Sequence, residues 1–311
     1  MGEPGRLMRQ TNVGRHSASE PSFTLIGGYG NATLHRLSLD NDLLDEILLA
    51  FRLPSQAKDA LSSIHGVYGR FISPEDNGDS ITFILSTPKS PVREIFCAVR
   101  VCRKPGAVLC LLFDAFRPDA EYVASRIRGL GQSTTVKTPL TLLSTVLKAC
   151  GETSEEERRI ADNEILGAEV LTKSTLWNDP NTTVIRQPRD FDEAIGALHL
   201  SHNMLLFINH SIKFETDAWR FLRRLYTDES TPSWLKDRTT PHDRQAALDE
   251  VDFEITHTVS RSAQVACLVD RVGVQTNLVR ATPCFDIPPR CHVHTTAESL
   301  RCWRSSLHQP A

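Results

Sequence analysis

No apolar run in this sequence has the length of a bilayer crossing. The longest, AVLCLLF from Ala107 to Phe113, has the length of a strand. A spanning helix needs about 20 such residues. The opening stretch, MGEPGRLMRQTNVGRHSASEPS, has no apolar core and so does not read as a secretory signal. There is no C-x-x-C pair, no G-x-x-x-x-G-K-[ST] loop and no G-x-S-x-G elbow. Surplus charge is also missing. The net charge of -3 and pI near 6.4 give no electrostatic case for nucleic acid or an anionic membrane surface. Without a leader, the eight cysteines predict a reduced, intracellular chain rather than a disulfide framework.

Ordinary globular material remains. The 311 residues suit one large or two modest domains, and 40% hydrophobic with 23% charged residues supports a normal core. Residues 1–22 are polar and rich in Gly, Arg and Ser, the composition of a disordered arm. In SLDNDLLDEILLAFRLP, Asp40 or Asn41 can cap a helix with Leu43, Leu44, Ile47, Leu48 and Phe51 on one face, ended by Pro54. GVYGRFIS and SITFILST flank the turn-forming PEDNGD, and EIFCAVRVC and AVLCLLFDA flank Lys104-Pro105-Gly106. These four strands in two hairpins predict an antiparallel sheet.

Helical patterns follow. PDAEYVASRIRGLG has Ala120, Val123, Ile127 and Leu130 on one face. TPLTLLSTVLKACG has Pro139 in its first turn and Gly151 as a C-terminal cap. SEEERRIADNEILGAEVLT reads as the next helix. Two helical stretches then fall within 190–230, with Phe191, Ile195, Leu198, Leu205, Ile208, Ile212, Trp219, Leu222 and Leu225 at three- and four-residue steps. Residues 231–241 read as a linker. From 242 to 279 a seven-residue rhythm places Leu248, Val251, Ile255, Val265, Val269, Val272 and Val279 on one seam, interrupted by Thr258, Ser262 and Thr276. That length and rhythm suggest a stalk or coiled coil. Two shorter helices broken near Ser260 or Gly273 are the alternative. The predicted fold class is α+β: an antiparallel sheet packed between helices (α/β/α, residues 23–230), followed by a long stalk-like helix and an irregular tail from 280 to 311.

Candidate chemistry is sparse. His199 and His202 at i and i+3 could share one metal, though such pairs without a nearby acid or thiolate are usually surface residues. Cys284, Cys291, His292, His294 and Cys302 are zinc-ligand types in a spacing that fits no standard module. Asp162 and Glu169, seven residues apart, could hold a divalent ion only with a further partner; a solvated face is the plainer reading. SEEERR (Ser154 to Arg159) reads as a capped, solvated helix start. GGYG (Gly27 to Gly30) lacks a following Lys-Ser/Thr and reads as a flexible connector. No nucleophile with an adjacent base stands out, so no enzyme chemistry is supported. No catalytic or cofactor-binding residue is assigned, and the metal residues are left unassigned.

Four stretches carry a family resemblance. They are LLDEILLAFRLPSQA, KTPLTLLSTVLKACGE, DNEILGAEVLTKST, and LHLSHNMLLFINHSIKFETDAWRFLRRL with ITHTVSRSAQVACLVDRVGVQTNLV. Together they resemble the divergent, fungal-type branch of the CorA-like divalent-cation transporter family. Glu169 and Thr172 match its acidic helix, with Lys173 where Gly is usual. Arg271, Gln275, Asn277 and Leu278 match its stalk stretch. The resemblance implies a cytosolic domain and stalk, homo-oligomerisation through that helix, and Mg²⁺ or a related ion as transported or regulatory ion. The charge balance predicts no nucleic-acid partner. In the family the stalk continues into a pore helix with a Gly-Met-Asn signature. Here Pro283, Pro288 and Pro289 follow instead, and a helix does not propagate through them. Two readings of the tail stay open. In one, the sequence after about Arg280 is truncated or out of frame, and the full-length protein lies on the cytosolic face of a membrane. In the other, the chain is a cytoplasmic scaffold or regulatory module that has lost transport.

Overall fold

The computed structural model describes residues 8–10, 23–29, 41–73, 77–89, 94–104, 106–114, 121–127, 140–172, 174 and 188–281. Its centre is a sheet. Strands β3 (Val67–Ile72) and β4 (Ser80–Ser86) form the first antiparallel pair, and β5 (Ile95–Cys102) and β6 (Val108–Asp114) the second. The turns use the residues expected of them. Asn77 and Gly78 sit at φ 50° and 79°, and Gly106 at φ 87°, where glycine has no Cβ to clash.

The α+β class holds, and the sheet is larger than the sequence suggested. Strand β2 (Phe23–Tyr29) adds to β6 in parallel, and β1 (Met8–Gln10) pairs antiparallel with β2. The order is β1-β2-β6-β5-β4-β3, so the sheet is mixed rather than antiparallel throughout. Part of the expected arm is therefore strand, and Gly27 and Gly28 of the expected connector lie within β2. A parallel partner distant in sequence leaves no hairpin signal, and two glycines blur the alternation of FTLIGGY.

Both faces of the sheet are covered. On one side, α1 (Asn41–Ala50) and α2 (Gln56–Ser62) bring Leu44, Ile47, Leu48, Phe51, Ala57 and Ala60 onto Ile84, Phe96, Ala98, Leu111 and Phe113. Leu43, placed on the apolar face by its spacing, is instead exposed. Buried Arg100 ties this layer down. Its Nη1 donates to the carbonyls of Phe51 (3.3 Å) and Arg52, and Nη2 donates to Ser80 Oγ at 3.0 Å. A cation suits a helix C-terminus, where carbonyls lack intrahelical partners.

The opposite face carries α3 (121–127), α4 (Leu140–Thr172), α5 (Pro188–Thr227) and α7 (Pro241–Ala281); a short α6 (Ser233–Lys236) precedes the last. Here the helices are longer than predicted. Gly151 does not end a helix: α4 runs through it for 33 residues. SEEERR is consequently mid-helix. The two stretches after 188 are one helix of 40 residues. The last helix is single, with 41 residues, or about 61 Å at 1.5 Å each.

The three long helices have two cores. Leu140–Cys150 of α4, Phe214–Tyr226 of α5 and Val251 of α7 pack on the sheet with Phe83, Val99 and Leu112. Ala161, Ile165 and Ala168 of α4 form a second core with Leu198, Leu205 and Ile212 of α5 and Val265, Leu268 and Val279 of α7. The bundle thus extends past the sheet, with α4 and α7 leading outward and α5 leading back.

The seven-residue rhythm of α7 is real, but half of its seam differs from the expectation. Val251, Thr258, Val265, Val272 and Val279 are buried as expected. The companion positions are Arg261, Leu268 and Gln275, one residue before the predicted Ser262, Val269 and Thr276. The seam faces α4 and α5 of the same chain. Among the described residues no helix is long and apolar enough to cross a membrane. The tail from 282 lies outside the described residues, as do Cys284, Cys291, His292, His294 and Cys302.

Candidate functional site

The acids of α4 and the basic and amide groups of α7 meet along one edge of the bundle. Arg271 donates through Nε and Nη2 to the two oxygens of Glu169, at 2.9 and 3.0 Å. Its Nη1 donates to Asp162 at 2.8 Å. Arg158 stands 3.6 Å from the other oxygen of Asp162 and forks onto Glu155 at 3.0 and 2.8 Å. The Glu155 carboxyl is held below its ordinary pKa chiefly by that hydrogen-bonded guanidinium, while Glu169 raises Arg271 and Glu155 raises Arg158. One turn further along α7, the Gln275 amide oxygen accepts from Thr172 at 2.9 Å and Ser174 at 3.1 Å.

Helix periodicity explains the arrangement. Asp162 and Glu169 are two turns apart on α4 and face one stripe, and Arg271 and Gln275 are one turn apart on α7. Asp162 and Glu169 are therefore not simply the solvated face that was the plainer reading; they converge around a guanidinium. With Arg271 between the carboxylates, the position favours an internal cation over a metal ion.

A second polar node sits at the junction of the two cores. Arg261 Nη2 donates to Glu215 at 2.8 Å, with side chains 5% and 2% exposed. Arg261 Nη1 donates to the Gly151 carbonyl at 2.8 Å, and Ser154 Oγ donates to Glu215 at 2.8 Å. Gly151 makes room for this: a Cβ there would lie 3.0 Å from Arg261 Nη2. The glycine read as a cap is the floor of a buried ion pair. Beside it, Thr87, Cys150, Glu157, Phe207 and Glu215 line a cavity of about 40 Å³, which suits water rather than an organic substrate.

No family model matches the chain, and no curated protein matches it. Among solved structures, it is similar to the ZntB cytoplasmic domain from Vibrio parahaemolyticus RIMD 2210633, at 13% identity and a TM-score of 0.47, over 82% of this chain and 86% of that one. It is also similar to the soluble domain of CorA from Methanocaldococcus jannaschii, at 12% identity and a TM-score of 0.47, over 83% of this chain and 87% of that one.

The remaining candidates separate. His199 Nε2 lies 3.3 Å from Arg280 Nη2, which places a positive charge where a metal was considered. Among the described residues, no group of three or more His, Cys, Asp and Glu side chains could hold a metal ion. Asn277 and Leu278 of the stalk stretch are exposed. Sequence reasoning missed Glu215 and Arg261. The signal was seven-residue spacing, from Leu268 and Gln275 for Arg261 and from Ile208 and Leu222 for Glu215, concealed because arginine and glutamate are seldom buried.

Proposed function

We propose that the chain is a CorA-like cytosolic module related to divalent metal-ion transport, with the outer half of α7 as its stalk. One observation carries the reading. The segments matched to the family's acidic helix and to its stalk helix are the two that interlock, through Arg271 with Glu169 and Gln275 with Thr172. A resemblance spread over distant phrases gains weight when those phrases touch. The end of α7 also lies at the outer end of the bundle, as a connection to a further segment requires.

Assembly through α7 is part of this proposal. The inward seam is filled by α4 and α5, so self-association uses the outer face, where Val259, Val274 and Leu278 are 50%, 56% and 39% exposed. Light scattering of the whole chain at micromolar concentration is expected to show more than one copy; a strict monomer counts against a stalk interface. Transport itself is tested by sequencing the transcript beyond the Val279 codon and assaying the encoded protein for Mg²⁺ uptake in vesicles. The reading expects an apolar stretch of about 20 residues and Mg²⁺ flux. A stop after Ala311 together with no uptake supports the second reading, a scaffold or regulatory module on the same frame. The filling of the α7 seam within the chain favours that alternative.

A further inference from the structure

The buried face of α7 has two columns of different character. One is nearly uniform: Val251, Thr258, Val265, Val272 and Val279, each seven residues from the next and each no more than 3% exposed. Threonine and valine share a shape. Sliding α7 by seven residues, about 10.5 Å along its axis, replaces each of these side chains by a near copy. This column therefore holds α7 to the bundle without choosing among axial positions.

The second column changes chemistry at every step. It reads Glu254, Arg261, Leu268, Gln275, and each member has a matching partner. Lys148 Nζ, which hydrogen-bonds the neighbouring Glu250, also lies 4.0 Å from Glu254. Glu215 and the Gly151 carbonyl receive Arg261. Leu268 sits in the outer apolar core. Thr172 and Ser174 receive Gln275. The facing column of α5 is equally varied: Ser201, Ile208, Glu215 and Leu222 are all buried and spaced by seven.

We infer that this second column is a register code, with Arg261–Glu215 as its decisive step, and that α7 can occupy axial positions one heptad apart once that step is erased. A slide one way sets Leu268 against the Glu215 carboxylate and brings Arg261 beside Lys148. A slide the other way sets Glu254 against Glu215 and drives Arg261 into the apolar site of Leu268. Either result leaves a buried charge unpaired or opposed, a cost of the kind that makes single polar residues specify register in coiled coils. The inference is independent of the transport reading. The competing restraints are the Arg271 clamp on Glu169 and Asp162 and the connection 228–240, whose Arg238 donates to the Cys102 carbonyl at 2.6 Å.

The test uses the whole chain and the surface contact Arg223–Asp252, where Nε and Oδ1 are 2.6 Å apart between α5 and α7. Arg223→Cys is combined with Asp252→Cys, Val259→Cys or Gln245→Cys, and cross-links are mapped by peptide mass spectrometry. With Glu215 and Arg261 intact, only the 223–252 link is expected. In a Glu215→Leu/Arg261→Leu background, which replaces the ion pair by apolar volume, a 223–259 or 223–245 link is expected at a tenth or more of the 223–252 yield, with helical circular dichroism retained. A 223–252 link alone in that background overturns the inference and assigns register to the connection or the Arg271 clamp. Loss of cooperative folding also overturns it, since a register code must be separable from packing. A second variant, Arg261→Leu/Leu268→Arg, moves the arginine one heptad along; the 223–259 link is expected to dominate, and persistence of 223–252 as the main product contradicts the code.

Discussion

Arg271 of α7 grips Glu169 of α4 with two hydrogen bonds, 2.9 and 3.0 Å long, while its third arm reaches Asp162 at 2.8 Å. Each carboxylate was a possible metal ligand in the sequence. Together they complete the valence of an arginine. The planar fork suits a carboxylate in a way a lysine ammonium does not.

Replacing that arginine therefore tests the clamp. The Arg271 side chain is 34% exposed and Asp162 is 38% exposed, so solvent weakens the pair. Arg271→Leu is expected to lower stability by about 1 kcal/mol, and Arg271→Lys by a comparable fraction, since the two-toothed geometry is lost. Urea unfolding followed by circular dichroism checks both. A change within error for Arg271→Leu contradicts a structural role for the clamp.

Two glycines in α4 are expected to respond in opposite directions. Alanine is favoured over glycine in a helix by about 1 kcal/mol. Gly167 has nothing within 4 Å of an added Cβ, so Gly167→Ala should stabilise by that order. Gly151 faces Arg261 nitrogens at 3.0 and 3.1 Å. Gly151→Ala pushes the guanidinium away from Glu215, and about 1–3 kcal/mol of overpacking and misplaced charge outweighs the helix gain. Denaturant midpoints of the two variants, measured side by side, decide the matter; stabilisation by Gly151→Ala is the contrary result.

The acid limb of stability should depend on Glu155. Its pKa is depressed in the folded state, first by the hydrogen bond from Arg158 and then by nearby cations. A depressed carboxylate contributes stability above its unfolded pKa, and the contribution fades as pH falls through the folded value. The loss therefore begins below about pH 4.3, the ordinary glutamate range. Arg158→Leu is expected to flatten this part of the curve relative to the parent chain. Denaturant midpoints between pH 6 and about pH 3 show it; parallel curves would falsify the assignment.

What could be read from the sequence follows from how local each signal was. The hairpins turn on Asn77, Gly78 and Gly106, and their strands lie next to one another in the chain. β2 was hidden because its partner β6 is remote and parallel. The rhythm of α7 was legible in its valines. Its second column was displaced by one residue because Ile255, Ser262, Val269 and Thr276 are better apolar or neutral candidates than Arg261 and Gln275. Only the tertiary partners Glu215 and Thr172 make those two buried positions possible. The candidate acids were legible as a pair, but their arginine was visible only once α7 lay against α4.

Trp219 carries the last prediction. It is 1% exposed and stands in the core between α5 and the sheet. On α5 it belongs to the column Leu198, Leu205, Ile212, Trp219 and Tyr226, all buried and spaced by seven. It belongs to the sheet-side core with Phe83, Val99 and Leu112 of the sheet and Leu222 of α5, and such a core relaxes only partly around a large deletion. Trp219→Ala is expected to cost about 3–5 kcal/mol, while Trp219→Phe, which retains most of the volume, costs less than half of that. Both variants still contain Trp177, Trp234 and Trp303, so circular dichroism in urea is the appropriate measurement. A loss below about 1 kcal/mol for Trp219→Ala, a typical surface-like value, is incompatible with a tryptophan that closes the sheet-side core.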